Sequence, residues 1–510
     1  MTDPRPSTIP HAVMMAAERW GDLPALLEGG EAWSFSRLWT ECRRAASALL
    51  ARGVSRGDRI AIWAPNSREW IVAAVGAMTV GAAIVPLNTR LKGREAGDIL
   101  RRTKTRLLFT VERFLGIDYG ALLAAEDLPA LQETVQLDSG FDAFLDSGAG
   151  VDDPAVMAAL DGVAPDDISD IMFTSGTTGA PKGVMATHSR VVDPLFDWIA
   201  NTGLAQGERY LIVNPFFHNF GYKAGWVVCI LAGAVIVPMP QFDTQAVIDA
   251  IERDRITFMP GPPTIFQALL AEKEKRRFDT SSLRGGTTGA AVVSPTLIQR
   301  IRDELGMTDI VTAYGMTECT TITCCRRGDR ADLIAQTCGV AITGSEIRIV
   351  DDAGAELPRG ETGEILVRGN GVMKGYLDDP EATAEAIDAD GWLHTGDVGT
   401  MDADGYVRIT DRKKDMYISG GFNCYPAEIE KLLSAHPAIG MVAVTGAPDE
   451  RLGEIGKAWI VLRPGAELSE ADLIGWARDN MANYKVPRTV AFKSDLPRNA
   501  AGKIAKLELR

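Results

Sequence analysis

Through the first 340 residues, short apolar runs rich in β-branched residues alternate with longer stretches of helical periodicity. This is the rhythm of an α/β protein. The runs at 59–63, 82–86, 170–173, 210–214, 234–237 and 257–260 predict strands, most of them closed by a turn-forming residue. In sheets of this kind the loops after the strand ends carry the ligands. From about Gly344 the pattern tightens to the closely spaced strands EIRIVDD, GEILVRG and YVRITD, parted by Asp/Gly turns at 351–354 and 402–405. Such spacing predicts an antiparallel subdomain. After Asp411 a charged segment, DRKKD, and a Gly-rich turn lead into a new helix and strand pattern that runs to Arg510.

The apolar stretches 70–85 and 224–237 are both shorter than the ~20 residues of a membrane span, and each passes through glycine into proline. Helix, turn and buried strand is the expectation for each, and no transmembrane segment is expected. Hydrophobic residues at 46% and charged residues at 24% are the balance of an ordinary globular protein. A length of 510 residues argues for more than one domain. The net charge of -15 argues against nucleic acid as a partner, because phosphate backbones are held by surplus Lys and Arg. An anionic ligand must then be met by locally placed cations. MTDPRPSTIPH has neither a basic start nor an apolar core, so no secretory signal is expected. The seven cysteines lack paired CxxC spacing, which fits a reducing, cytoplasmic setting. Cys319, Cys324, Cys325 and Cys338 cluster in sequence but read as buried small residues rather than as a zinc site.

The strongest chemical signal is ISDIMFTSGTTGAPKG at 168–183, an apolar strand running into a loop of small and hydroxylic residues closed by Lys182. Small residues let backbone N–H groups approach phosphate, hydroxyls add donors, and the lysine adds charge. The Walker A spacing does not align on it. Residues 174–183 closely resemble the signature loop of the adenylate-forming superfamily, which includes acyl-CoA synthetases, luciferases and peptide-synthetase adenylation domains. That resemblance assigns Thr174, Ser175, Gly176, Thr177, Thr178, Gly179 and Lys182 to ATP.

The rest of the chain is similar to the same family in the expected order. In YGMTE at 314–318, the resemblance has Tyr314 stack on adenine beside Gly315, Thr317 touch the α-phosphate and Glu318 help hold Mg2+. Gly289 and Ala290, in GTTGAA, would line the adenine and acyl pockets. Asp397 of GWLHTGD matches the aspartate that binds both ribose hydroxyls, with Arg412 assisting it. His218 of NPFFHNFG is expected beside the acyl pocket, where it positions groups or moves a proton. Lys503 of PRNAAGK matches the lysine that bridges the attacking carboxylate and the α-phosphate, where a cation lowers the repulsion between two anions.

By this resemblance the fold is a large N-terminal domain, 1–411, of α/β subdomains plus a small β-barrel-like subdomain. It is hinged near Lys414 to a small α+β C-terminal domain, 412–510. Lys503 is needed for adenylation and would obstruct thioester formation, so the domain is expected to rotate between the half-reactions. Gly420 and Gly421 would then let a strand approach the CoA arm. The implied activity is an ATP-dependent carboxylic acid:CoA ligase with ATP, Mg2+ and coenzyme A as cofactors, and a homodimer as one possible assembly. Peptide synthetases continue into a carrier domain, and fatty acyl-AMP ligases carry an insertion before the hinge. Neither feature is expected here. Transfer to another acceptor, or a nucleotide-hydrolysing or nucleotide-sensing protein, are the alternatives.

NPFFHNFGYKAG, with GPPT at 261–264 and GTTGAA, is similar to the ligases with which actinobacterial steroid degraders activate the propanoate chain of the bicyclic ring C/D remnant. Tyr222 and Lys223 depart from a plain fatty-acid pocket. Two readings of Lys223 stand: a contact to a ketone or second carboxylate, or an ammonium that snorkels to solvent. Fatty and aromatic acids remain open.

Overall fold

The computed structural model describes residues 5–174, 181–289, 293–412, 415–419, 422–449, 451–481, 483–498 and 504–509. Every predicted strand of the first 340 residues forms, displaced by no more than two residues at either end: Arg59–Trp63, Ala83–Pro86, Ile168–Phe173, Arg209–Ile212, Val235–Pro238 and Phe258–Gly261. Several of the helices packed against them begin at side-chain caps that accept a free first-turn amide. Ser34 accepts from Arg37, Ser67 from Trp70, Asp243 from Ala246 and Ser294 from Leu297.

Among the described residues these strands build two large sheets. A seven-stranded sheet runs Gly375–Tyr376, Gly183–Thr187, Ile168–Phe173, Ala83–Pro86, Arg59–Trp63, Leu107–Thr110, Glu133–Gln136. It is parallel except at the pairings on either side of Gly183–Thr187. The nine-stranded sheet has Phe258–Gly261 at its centre, with Gly285–Thr288 and Arg209–Ile212 parallel on either side. One continuous apolar core, including Trp63, Trp70, Trp198 and Trp226, serves both sheets. The apolar stretch at 70–85 is a helix, Arg68–Thr79, and a buried strand. That at 224–237 is the end of a π-helix, a short α-helix and a strand. Among the described residues, no helix is long and apolar enough to cross a membrane.

The antiparallel subdomain is a four-stranded sheet in the order Ser345–Val350, Gly363–Gly369, Leu393–Met401, Val407–Arg412. Its third strand, which carries the LHTGD part of GWLHTGD, was not predicted. Beyond it, Tyr417, Cys424, Ile429, Leu433, Val444 and Ile460 form a separate core beneath the long hairpin of Ile439–Asp449 and Gly453–Leu462. The architecture is thus a large mixed α/β body, a small antiparallel sheet and a small α+β unit.

Candidate active site

The strand Ile168–Phe173 ends where the Ser/Thr/Gly loop begins, and Gly183–Thr187 leads away antiparallel to it. The loop's two ends are tied together: the Thr174 amide donates to the Lys182 carbonyl at 3.0 Å and the Thr174 hydroxyl reaches the same oxygen at 3.5 Å. Arg102 donates to the Pro181 carbonyl at 2.6 Å and lies over the Phe173 ring. Thr174 and Lys182 are both partly exposed. Ser175, Gly176, Thr177, Thr178 and Gly179 lie outside the described residues, as do Ala290, Lys414, Gly420, Gly421 and Lys503.

The second nucleotide motif sits on the extension of Asp309–Met316 and its hairpin into Cys319–Cys324. Gly315 is required there, because a Cβ would lie 2.4 Å from the Thr320 carbonyl oxygen. Tyr314 projects from the large sheet and Asp397 from the small one, and the tyrosine hydroxyl donates to Asp397 Oδ2 at 2.5 Å. Both are buried, at 8% and 5% exposure, so Asp397 is not an exposed turn residue. Burial, reinforced by the Asp397 charge, raises the Tyr314 phenol well above its ordinary range, so it remains a donor. Arg412 pairs with Asp397 in the strand ladder.

Glu318 and Thr317 are partly exposed beside this hairpin. Glu318 Oε1 accepts from the Tyr376 hydroxyl at 3.0 Å, and the Lys182 ammonium lies 4.9 Å from the centroid of the same tyrosine ring. The cation of the phosphate loop and the carboxylate of the second motif therefore meet one aromatic side chain.

The acyl-pocket segment is held by two asparagines. Asn66 donates to the Asn214 carbonyl at 2.9 Å and accepts from the Phe216 amide at 2.7 Å. Asn219 donates to the carbonyls of Met316 and Thr320 at 3.1 and 3.3 Å, joining this segment to the nucleotide motif. Gly221 allows the tight turn, since a Cβ would lie 2.2 Å from the carbonyl oxygens of Asn214 and Pro215. His218 Nδ1 accepts from the Phe220 amide at 3.3 Å, which assigns the proton of the neutral ring to Nε2. This capping contact holds the ring at the start of the short helix Asn219–Gly221.

Tyr222 and Lys223 open a π-helix, Tyr222–Val227. Such helices recur at functional sites. Lys223 does not reach solvent: its ammonium is 3.2 Å from Asp170 Oδ1, with both side chains 1% exposed. The Tyr222 hydroxyl points to Asp170 Oδ2 at 3.4 Å, and the Ser169 hydroxyl donates to the same oxygen at 2.7 Å. Snorkelling is thereby corrected; a lone carboxylate in the buried Ile168–Phe173 strand draws the ammonium inward. Asp170, Asn66 and Tyr376 were missed in the sequence. Only Asp170 left a signal, as a charge inside an apolar run.

Lys182 and Glu318 thus meet at Tyr376, and Tyr314 joins Asp397 across the two sheets; the chain's class follows from the families it matches. Residues 14–377 match the AMP-binding enzyme family and residues 428–503 the AMP-binding enzyme C-terminal domain, and the chain belongs to that family. It is 47% identical over 99% of its length to a (7a-methyl-1,5-dioxo-octahydro-inden-4-yl)propanoyl:CoA ligase of Rhodococcus jostii, of which 99% is covered. Against the ligase of the same description from Mycobacterium tuberculosis the identity is 48%, covering 99% of this chain and 98% of that one. The crystal structure of the anthranilate CoA ligase AuaEII with anthranoyl-AMP superposes with a TM-score of 0.88 at 28% identity, covering 98% of this chain and 96% of that one. The protein is an AMP-forming acid–thiol ligase that uses ATP and CoA and works through an acyl-adenylate.

Proposed function

We propose that the acid activated here is the propanoate side chain of a bicyclic diketone, the ring C/D remnant of a steroid. Near-half identity along almost the whole chain to two ligases described for such an acid carries this reading. A fused bicycle needs a wide pocket with fixed walls, and the asparagine-clamped segment from Asn214 to Gly221 is a rigid element of that kind.

In this reading the loop from Thr174 to Lys182 cradles the phosphates, Tyr314 and Gly289 border adenine, and Asp397 with Arg412 takes the ribose. Thr317 meets the α-phosphate, and His218 orients groups at the acyl pocket mouth. Lys503 bridges the carboxylate and α-phosphate, and Lys414 is the pivot between domains 1–411 and 412–510. Gly420 and Gly421 border the path of the CoA arm. Glu318 fits a magnesium ion. A magnesium ion that accompanies a nucleotide is usually held by one or two carboxylates together with phosphate oxygens and water. When bound, the ion shields the charge of the triphosphate under attack. All seven cysteines are free thiols, in keeping with a cytoplasmic location.

A pyrophosphate-coupled assay across straight-chain, aromatic and bicyclic keto acids tests the proposal. The highest kcat/KM is expected for the bicyclic propanoate, and a clear preference for straight-chain acids would retire it.

A further inference from the structure

The segment from Val372 to Leu377 leaves the antiparallel sheet and returns to the edge of the seven-stranded one. There Tyr376 pairs with Val184 and Gly375 with Met185, on the strand that follows the phosphate loop. Its backbone is pinned from several directions. Met373 N donates to the Glu318 carbonyl at 2.7 Å, Lys374 N to Met185 at 2.8 Å and Leu377 N to Gly183 at 2.7 Å. Arg190 donates to the carbonyls of Val372 and Met373. Tyr376 N donates to the Thr383 hydroxyl at 2.9 Å. The ring they fix is only 9% exposed, with the Lys182 ammonium on its face and Glu318 Oε1 at its hydroxyl.

From this geometry we infer that Tyr376 is a positioning residue for adenylation: its hydroxyl holds one oxygen of Glu318 so that the other faces a magnesium–ATP complex, while its ring seats Lys182 at the end of the phosphate loop. The inference rests on the nucleotide-site reading above and is independent of which acid is used. A carboxylate that ligates a metal must present one oxygen in a fixed direction, and a donor on its other oxygen does this without competing for the ion. The electron-rich ring face attracts the ammonium without neutralising it, leaving its charge available to phosphate.

The test measures Mn2+ binding to the enzyme–ATP complex by electron paramagnetic resonance, with no acid present, in wild type, Tyr376→Phe, Glu318→Gln and the double variant. Loss of an outer-shell partner of a metal ligand typically weakens metal affinity by about 10- to 100-fold, and Tyr376→Phe is expected at about the lower end of that range. In the Glu318→Gln background the same change should have little further effect, because the carboxylate it orients is gone. Tyr376→Leu should in addition weaken metal-free ATP binding, since Lys182 loses its seat, whereas Tyr376→Phe should not. Wild-type Mn2+ affinity in Tyr376→Phe, or an undiminished effect in the Glu318→Gln background, would overturn the inference. Failure of every acid to release pyrophosphate would refute the ligase reading instead, and leaves the Mn2+ cycle readable on its own.

Discussion

Replacing Lys223 with methionine keeps most of the side-chain volume but leaves the Asp170 carboxylate, 1% exposed, without its cation and with only the Ser169 and Tyr222 hydroxyls as partners. Removing one partner of a buried ion pair costs about 3–5 kcal/mol, whereas replacing both with neutral groups of similar size is often neutral. An unfolding entropy of about 2.1 cal/mol/K per residue makes 1 kcal/mol worth about 1 °C in a cooperative unit of roughly 400 residues, so Lys223→Met should melt about 5 °C below wild type. The Asp170→Asn/Lys223→Met pair should recover most of that loss. Differential scanning calorimetry of the wild type, the single variants and the double variant reads both numbers. The same proteins in the pyrophosphate assay report on the acid: with the ammonium engaged by Asp170, the double variant should keep the preference for the bicyclic keto acid over straight-chain acids. A single variant as stable as wild type, or a double variant that melts no higher than Lys223→Met, would refute the reasoning.

Other groups yield sharper signatures. His188 is buried, its Nδ1 accepting from the Ile9 amide at 3.4 Å, and burial lowers its pKa from 6.5 to about 3. Below its ordinary pKa the unfolded chain binds the proton that the fold refuses, so stability falls as pH falls. Between roughly pH 7.5 and 5 this amounts to about 2 kcal/mol, and urea unfolding of wild type against His188→Gln should show a flatter slope for the variant; equal slopes would exclude His188 as the source. Lys503→Ala should abolish acid-dependent ATP–pyrophosphate exchange yet still form thioester from supplied acyl-AMP, and equal loss of both half-reactions would remove its assigned role. Lys414→Pro should spare exchange and block transfer to CoA, and normal overall turnover would count against rotation about that position.

How far the sequence carried can be judged element by element. Strands such as Arg59–Trp63 were legible because fully buried parallel strands are apolar throughout and end at turn formers. Leu393–Met401 was not, because HTGD interrupts its apolar pattern with the polar residues that serve the site. The π-helix Tyr222–Val227 departs from the usual helical period, so periodicity could suggest a helix but not its winding. Residue types with their own chemistry, such as Lys182, Glu318 and Asp397, could be named as candidates from motif and charge. Their partners could not: Asp170 beneath Lys223, and Tyr376 between Lys182 and Glu318, are set by contacts between segments far apart in the chain.

The central claim, activation of a carboxylic acid as its adenylate, is most directly tested by isotope exchange between pyrophosphate and ATP in the absence of CoA. Exchange should be negligible without acid and appear on adding the bicyclic propanoate, with AMP and acyl-CoA formed only once CoA is supplied. Release of inorganic phosphate without any acid, or no exchange with any carboxylic acid, would contradict it.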